Sequence, residues 1–205
     1  MRLVILASGN GTDLQSIIDS VEEGSIPAKI AAVISDKEGA YALKRAKIHG
    51  IPTYCLSKKD LKDRFYRELL RIIEEINPDG IILAGFITIL NEEIINKFQN
   101  KIINIHPSLI PSFCGKGYYG EKVHKAVYEY GVKYTGCTVH FVDAGADTGP
   151  IILQEVVKVE EDDTPETIAE KVLEVEHRLL PYAVKLFAEG RLKVEGRKVH
   201  INQSK

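Results

Sequence analysis

An amide and an imidazole stand two residues apart in "IINIHPSLIP" (102–111), where an apolar run meets two prolines that cannot continue a sheet. Asn104 and His106 are the residue types that hold a developing oxyanion, the amide as a neutral donor and the imidazole as a charged one if a nearby carboxylate keeps it protonated. That is the chemistry of acyl transfer. "FVDAGADTGP" (141–150) offers the carboxylate twice, as Asp143 and Asp147, in a glycine-containing loop between two predicted strands, and such loops can fold a side chain back over a site. The same aspartates also suit ordinary turn chemistry, and an isolated histidine is more often a hydrogen-bonded surface residue. No serine in a nucleophile elbow and no metal-spaced cluster competes with the trio.

A second constellation lies near the N-terminus. "ILASGNGTDL" (5–14) puts Gly9 and Gly11 between a predicted strand and helix, where open backbone and free helical N–H groups seat an anion. The dinucleotide fingerprint asks for a third glycine at position 14, which is Leu14. One phosphate is therefore expected rather than two, and a nicotinamide-dependent enzyme with Asp36 on a ribose is disfavoured. The competing reading is a plain tight turn with Thr12 or Asp13 capping the helix.

The elements that position these residues follow from hydrophobic rhythm. "RLVILA", "IAAVIS", "IPTYC" and "DGIILAG" are apolar runs followed by helix-period segments at 13–23, 39–49, 58–76 and 91–98. Runs apolar at consecutive positions suit parallel strands covered on both faces, so an α/β doubly wound sheet is predicted, with ligands beyond the C-terminal strand ends. "IINI" is the next strand, with Asn104 near its end and His106 just past it. A helix follows at 119–131, then strands in "TGCTVHFVD" and "GPIILQEVVKV". In the first of these, Thr138, His140 and Val142 alternate with Cys137, Val139 and Phe141, which predicts one drier face. A capped amphipathic helix starts near Thr164 and Pro165, with Pro181 expected to bend or divide it, and a hairpin around Glu195 and Gly196 closes the chain.

The 205 residues carry a formal net charge of -2 with 44% apolar and 27% charged residues, enough for one domain with a core. Lys and Arg are interspersed with Asp and Glu, so nucleic acid is not expected as a partner. No apolar run reaches the roughly 20 residues of a membrane span and the N-terminus turns polar too soon for a signal peptide, which predicts a cytoplasmic protein without membrane partners. Cys55, Cys114 and Cys137 have neither disulfide nor zinc spacing.

Five blocks, "SGNGTDLQSIID", "ILAGFITIL", "INIHPSLIPSF", "TVHFVDAGADTGPIILQ" and "EVEHRLLP", in this order over nearly the whole chain, resemble the phosphoribosylglycinamide formyltransferases, the folate-dependent glycinamide ribonucleotide transformylases of purine synthesis. The resemblance implies a single-domain, Rossmann-like formyltransferase fold over 1–205, with a mostly parallel central sheet and helices on both faces. The part to about 100 would mainly hold the substrate phosphate, and 101–205 would mainly serve catalysis and folate. It implies transfer of formyl from 10-formyltetrahydrofolate to the amine of glycinamide ribonucleotide, without metal, by a monomer or homodimer acting on small molecules.

Carried over by position, the catalytic residues are Asn104, His106 and Asp147, the last fixed by the following "TGP". Gly11, Thr12 and Asp13 match the phosphate turn and Glu176 the acidic ribonucleotide contact. Folate contacts match Lys62, then Ile87, Thr88, Ile89 and Leu90, Asn104, and the loop Asp143, Ala144, Gly145, Ala146 and Asp147. Asp13 stands where many relatives have asparagine, and Thr88 where a basic residue is common. The segment 112–120 is long and glycine-rich, with Lys116, Tyr118 and Tyr119 placed to close as a lid. The alternative within the resemblance is a 10-formyltetrahydrofolate hydrolase, which uses the same trio with water as acceptor and usually carries a preceding regulatory domain.

Overall fold

The structure, a computed structural model, describes residues 1–203. The chain is α/β, as the sequence predicts, and its described residues divide into two compact units, the first 1–103 and the second from Asn104 onward.

In the first unit β1 (Arg2–Leu6), β2 (Lys29–Ser35), β3 (Thr53–Cys55) and β4 (Gly80–Leu83) lie in the order β3-β2-β1-β4, every pairing parallel. Leu3 to Leu6 have no solvent exposure, the expected state of a strand apolar at consecutive positions. The intervening helices are α1 (Thr12–Glu22), α2 (Tyr41–Ile48), the single turn α3 (Lys58–Leu61), α4 (Phe65–Ile76) and α5 (Glu92–Lys97). Segment 58–76 is thus not the one helix the pattern suggested. Lys62 has φ 47 and ψ -119, outside the helical region, and a 3₁₀ turn spans Lys62–Arg64. None of the residues of α3 is buried, so no apolar stripe carries the helix through, whereas α4 buries Phe65, Leu69, Leu70, Ile72 and Ile73.

The chain passes into the second unit within β5 (Ile102–His106), a strand one residue longer than expected that ends on His106 itself. There follow α6 (Glu121–Tyr130), β6 (Tyr134–Phe141), β7 (Ile151–Lys158), α7 (Pro165–Ala188), β8 (Leu192–Glu195) and β9 (Lys198–Ile201). The order β6-β7-β9-β8 joins antiparallel β6–β7, parallel β7–β9 and the antiparallel β8–β9 hairpin. Thr164 caps α7 in a reciprocal arrangement with Thr167, and Pro165 opens the helix. Pro181 does not divide it: α7 runs through all 24 residues, with buried Leu179, Leu180, Ala183 and Val184 holding both sides of the proline. No helix among the described residues is long and apolar enough to cross a membrane.

Strand β6 departs from the one-dry-face expectation, because every residue from Thr135 to Phe141 is buried. Thr138 and His140 are satisfied internally rather than by water, whereas the buried Thr135 hydroxyl has no hydrogen-bond partner among the described residues. Thr138 Oγ1 donates to Ser108 O (2.7 Å) and accepts from Ile110 N (3.1 Å) and Gln154 Nε2 (3.0 Å), so β6 holds the loop that follows His106.

Candidate active site

Asn104 and His106 project from alternate positions near the end of β5. Asp147 comes from the loop between β6 and β7, and its Oδ2 lies 3.5 Å from His106 Nδ1. The structure therefore brings Asn104, His106 and Asp147 together within the second unit. Asp143 turns elsewhere: its Oδ1 accepts from Gly145 N (3.1 Å) and Thr148 Oγ1 (2.5 Å), closing the loop on itself. The loop is tightly specified. A Cβ on Gly149 would stand 1.7 Å from Phe141 O, Asp147 sits at φ 58, and Arg197 of the β8–β9 turn donates to Thr148 O at 2.9 Å.

A second imidazole, not anticipated as part of the site, joins the trio. His140 Nε2 is 3.1 Å from Asn104 Nδ2 and 3.6 Å from Asp147 Oδ1, while His140 Nδ1 is 2.8 Å from Phe141 O. The backbone of the 112–120 segment also participates, with His106 Nε2 donating to Phe113 O (2.9 Å) and Gly115 N donating to Asp147 Oδ2 (2.9 Å). The alternation of Thr138 and His140 with apolar neighbours was the available signal. Backbone partners leave none.

His106 is 4% exposed, and burial is the largest influence on it, pushing the imidazole below its ordinary value. Asp147 and the Phe113 carbonyl pull it up and His140 pushes it down, with the net shift downward. Asp147 thus acts in the expected direction, but burial is the larger influence on the imidazole. For Asp147, burial pushes up, but His106 and the Gly115 N–H help to hold the carboxyl below its usual range. His124 on α6 is pushed down to about 4 by burial and by His106.

The remaining predicted contacts divide by unit. Gly11 is the N-cap of α1 at φ 75, and a Cβ there would meet Ala42 Cα and Cβ at 2.7 Å, so the turn requires glycine. It makes no side-chain cap bond, and neither Thr12 nor Asp13 fills that place. Arg45 Nε steadies the turn by donating to Asn10 O (2.8 Å). Asp13 lies in the first turn of α1 with Oδ1 out of contact with solvent, and burial pushes its carboxyl up to about 6.

Beside this turn, Ser8 N donates to Gly85 O (3.1 Å) and Ile87 N to Ser8 Oγ (3.0 Å), which sets the 87–90 segment against it. Ile87 and Ile89 are 46% and 62% exposed while Leu90 is buried, so Ile89 is not core. Thr88 is buried and donates to Asp36 Oδ2 (2.6 Å). Lys62 is exposed at the break after α3. In the second unit, Glu176 is buried on α7, and Ala144, Gly145 and Ala146 complete the Asp147 loop with the first two exposed.

The sequence profile of the formyl transferases matches residues 1–184. The chain belongs to the formyl transferase family. It is similar to the trifunctional purine biosynthetic protein adenosine-3 of Gallus gallus, 43% identical over 196 residues, which are 95% of this chain and 19% of that one. It therefore spans about a fifth of the length of that curated relative. Among solved structures, glycinamide ribonucleotide transformylase 1 from Symbiobacterium toebii superimposes with a TM-score of 0.93 at 43% identity, covering 99% of this chain and 94% of that one. A formyltetrahydrofolate deformylase from Pseudomonas syringae gives 0.89 at 29% identity, covering 98% and 66%. In this formyl transferase the four side chains at 104, 106, 140 and 147 bring together two imidazoles, one carboxylate and one amide, residue types with the chemistry to stabilise an oxyanion and move a proton.

Proposed function

We propose that this formyl transferase moves a formyl group from 10-formyltetrahydrofolate to the primary amine of glycinamide ribonucleotide, in the cytoplasm, as a step of purine biosynthesis. The convergence of Asn104, His106 and Asp147 carries the reading. The amine attacks the formyl carbon, and the carbonyl oxygen gains charge. Asn104 has two amide protons; one meets His140 Nε2, which leaves the other for that oxygen. His106 is the second donor and the proton carrier to the departing folate nitrogen, with Asp147 beside Nδ1 stabilising the imidazolium as it forms.

Both nitrogens of His106 face protein groups, so one must exchange its partner for the reacting oxygen. The Phe113 carbonyl is the exchangeable one, because it belongs to a segment with positive φ at Phe113, Gly115, Gly117 and Gly120. Gly11, Thr12 and Asp13 would seat the phosphate with Glu176 on the ribonucleotide. The half-exposed Ile87 and Ile89 fit the apolar wall that a pterin ring requires, with Lys62 and residues 143–147 completing the folate contacts.

A hydrolase of the same formyl donor is the second reading, favoured by the likeness to the deformylase. An assay with 10-formyltetrahydrofolate, run with and without glycinamide ribonucleotide, separates the two. The transferase reading expects tetrahydrofolate only when the amine is present; equal release without it overturns that reading in favour of hydrolysis.

A further inference from the structure

We propose that His140 is a positioning residue for the formyl transfer, its Nε2 lone pair fixing which edge of the Asn104 carboxamide faces the reacting carbonyl. This rests on the role given above to Asn104 as an oxyanion donor. A carboxamide is nearly symmetric in shape, so packing alone discriminates poorly between Nδ2 and Oδ1, and only a hydrogen-bond partner of defined polarity sets the orientation. If Oδ1 replaced Nδ2 beside the developing oxyanion, attraction would become repulsion.

The polarity of that partner is fixed by the backbone. Phe141 O, 2.8 Å from His140 Nδ1, can only accept, so Nδ1 bears the hydrogen and the neutral ring carries its lone pair on Nε2. Asn104 Nδ2, 3.1 Å away, is then the only edge of the amide that fits. A β6–β7 register shift falls between Val139 and His140, where a local irregularity re-aims the side chain, and His140 is 2% exposed, so water does not substitute for it.

Asp147 Oδ1, 3.6 Å from the same Nε2, marks the competing arrangement. A proton on Nε2 would point to that carboxylate and require Asn104 to turn Oδ1 inward. A proton there and a donor at Asn104 thus exclude each other. The other titratable groups around this centre are His106 on β5, with His124 of α6 acting on it, and Cys114 beside Asp147. Among the described residues His140 is the one whose lone pair meets the amide.

The test compares H140L, which removes the acceptor, with H140Q, whose Oε1 accepts but cannot be protonated, alongside N104A and N104A/H140L. H140L is expected to lower kcat by about 10²-fold, the scale of a misplaced catalytic group, with both KM values little changed. H140Q is expected to regain most of that rate, and the double variant to be no slower than N104A. Nitrogen-15 NMR of the imidazoles in the wild-type chain is expected to find the hydrogen of His140 on Nδ1. A normal kcat in H140L, no recovery in a folded H140Q, additive losses in the double variant, or a hydrogen on Nε2 in the neutral ring would each overturn the inference. Should H140L not fold, H140Q and the NMR spectrum decide. A near-normal N104A rate instead defeats the assignment of Asn104, whatever the spectrum of His140 shows.

Discussion

Replacing Asp13 by asparagine tests whether burial at the first turn of α1 carries a pH-dependent cost. The carboxyl ionises near 3.8 in an ordinary environment and is pushed up to about 6 here. A shift of that size corresponds to about 3 kcal/mol at 1.36 kcal/mol per pKa unit, which is the ceiling on the effect. The sign follows from which state ionises first. Well below pH 3.8 the group is protonated in both folded and unfolded chains and contributes nothing. Between pH 4 and 6 the unfolded chain loses its proton first, and wild-type stability falls as pH rises; above pH 6 the full cost is present.

Asparagine keeps the shape without that ionisation, so Asp13→Asn should exceed wild type only slightly at pH 4 and by much more at pH 8. For a chain of this size the ceiling corresponds to a Tm gain of roughly 5–10 °C. Thermal melts of both proteins at pH 4 and 8 measure the difference. A gap that does not change with pH, or one larger at pH 4, would refute the reasoning. The same substitution removes a negative charge from the turn proposed to seat a phosphate, so KM for glycinamide ribonucleotide at pH 8 should fall with it.

Asn104→Ala should lower kcat by about 10²–10³-fold while the circular dichroism spectrum is unchanged; a loss below tenfold would rule out an oxyanion donor there. Asp147→Asn removes the influence that raises His106, so the pH at which His106 takes up a proton should move down, which NMR titration of the ring detects. Gly136→Ala places a Cβ 1.9 Å from Glu155 O inside the β6–β7 ladder and should lower Tm by several degrees, whereas an unchanged melt would mean the strands part without cost. Limited proteolysis within 112–120 should slow when both substrates are bound; an equal rate would count against closure of this segment.

The parallel half of the fold was readable because β1, β2 and β4, largely buried on both faces, are apolar at consecutive positions, and because Gly11, Thr164 and Pro165 mark helix starts by backbone chemistry. The break at Lys62 was not readable, since seven polar-dominated residues at 58–64 resemble a solvated helix as closely as a loop. Strand β6 misled for a related reason: alternation reports polarity, and Thr138 and His140 are polar yet sealed from water by partners distant in sequence. Asn104, His106 and Asp147 were legible as residue types, with Asp147 separated from Asp143 only by the family resemblance. The burial of His106 was not legible, because it is a property of the packed chain, and the Phe113 and Gly115 contacts come from backbone that every residue possesses.

The Arg197 guanidinium, reaching from a surface hairpin to the carbonyl next to the aspartate proposed for catalysis, ties the proposed reaction to a hairpin that contributes none of its proposed groups. Purification tags or trimming placed at that end should therefore be judged by turnover as well as by yield. A preparation could melt at the normal temperature and still work slowly because one remote tether had been loosened.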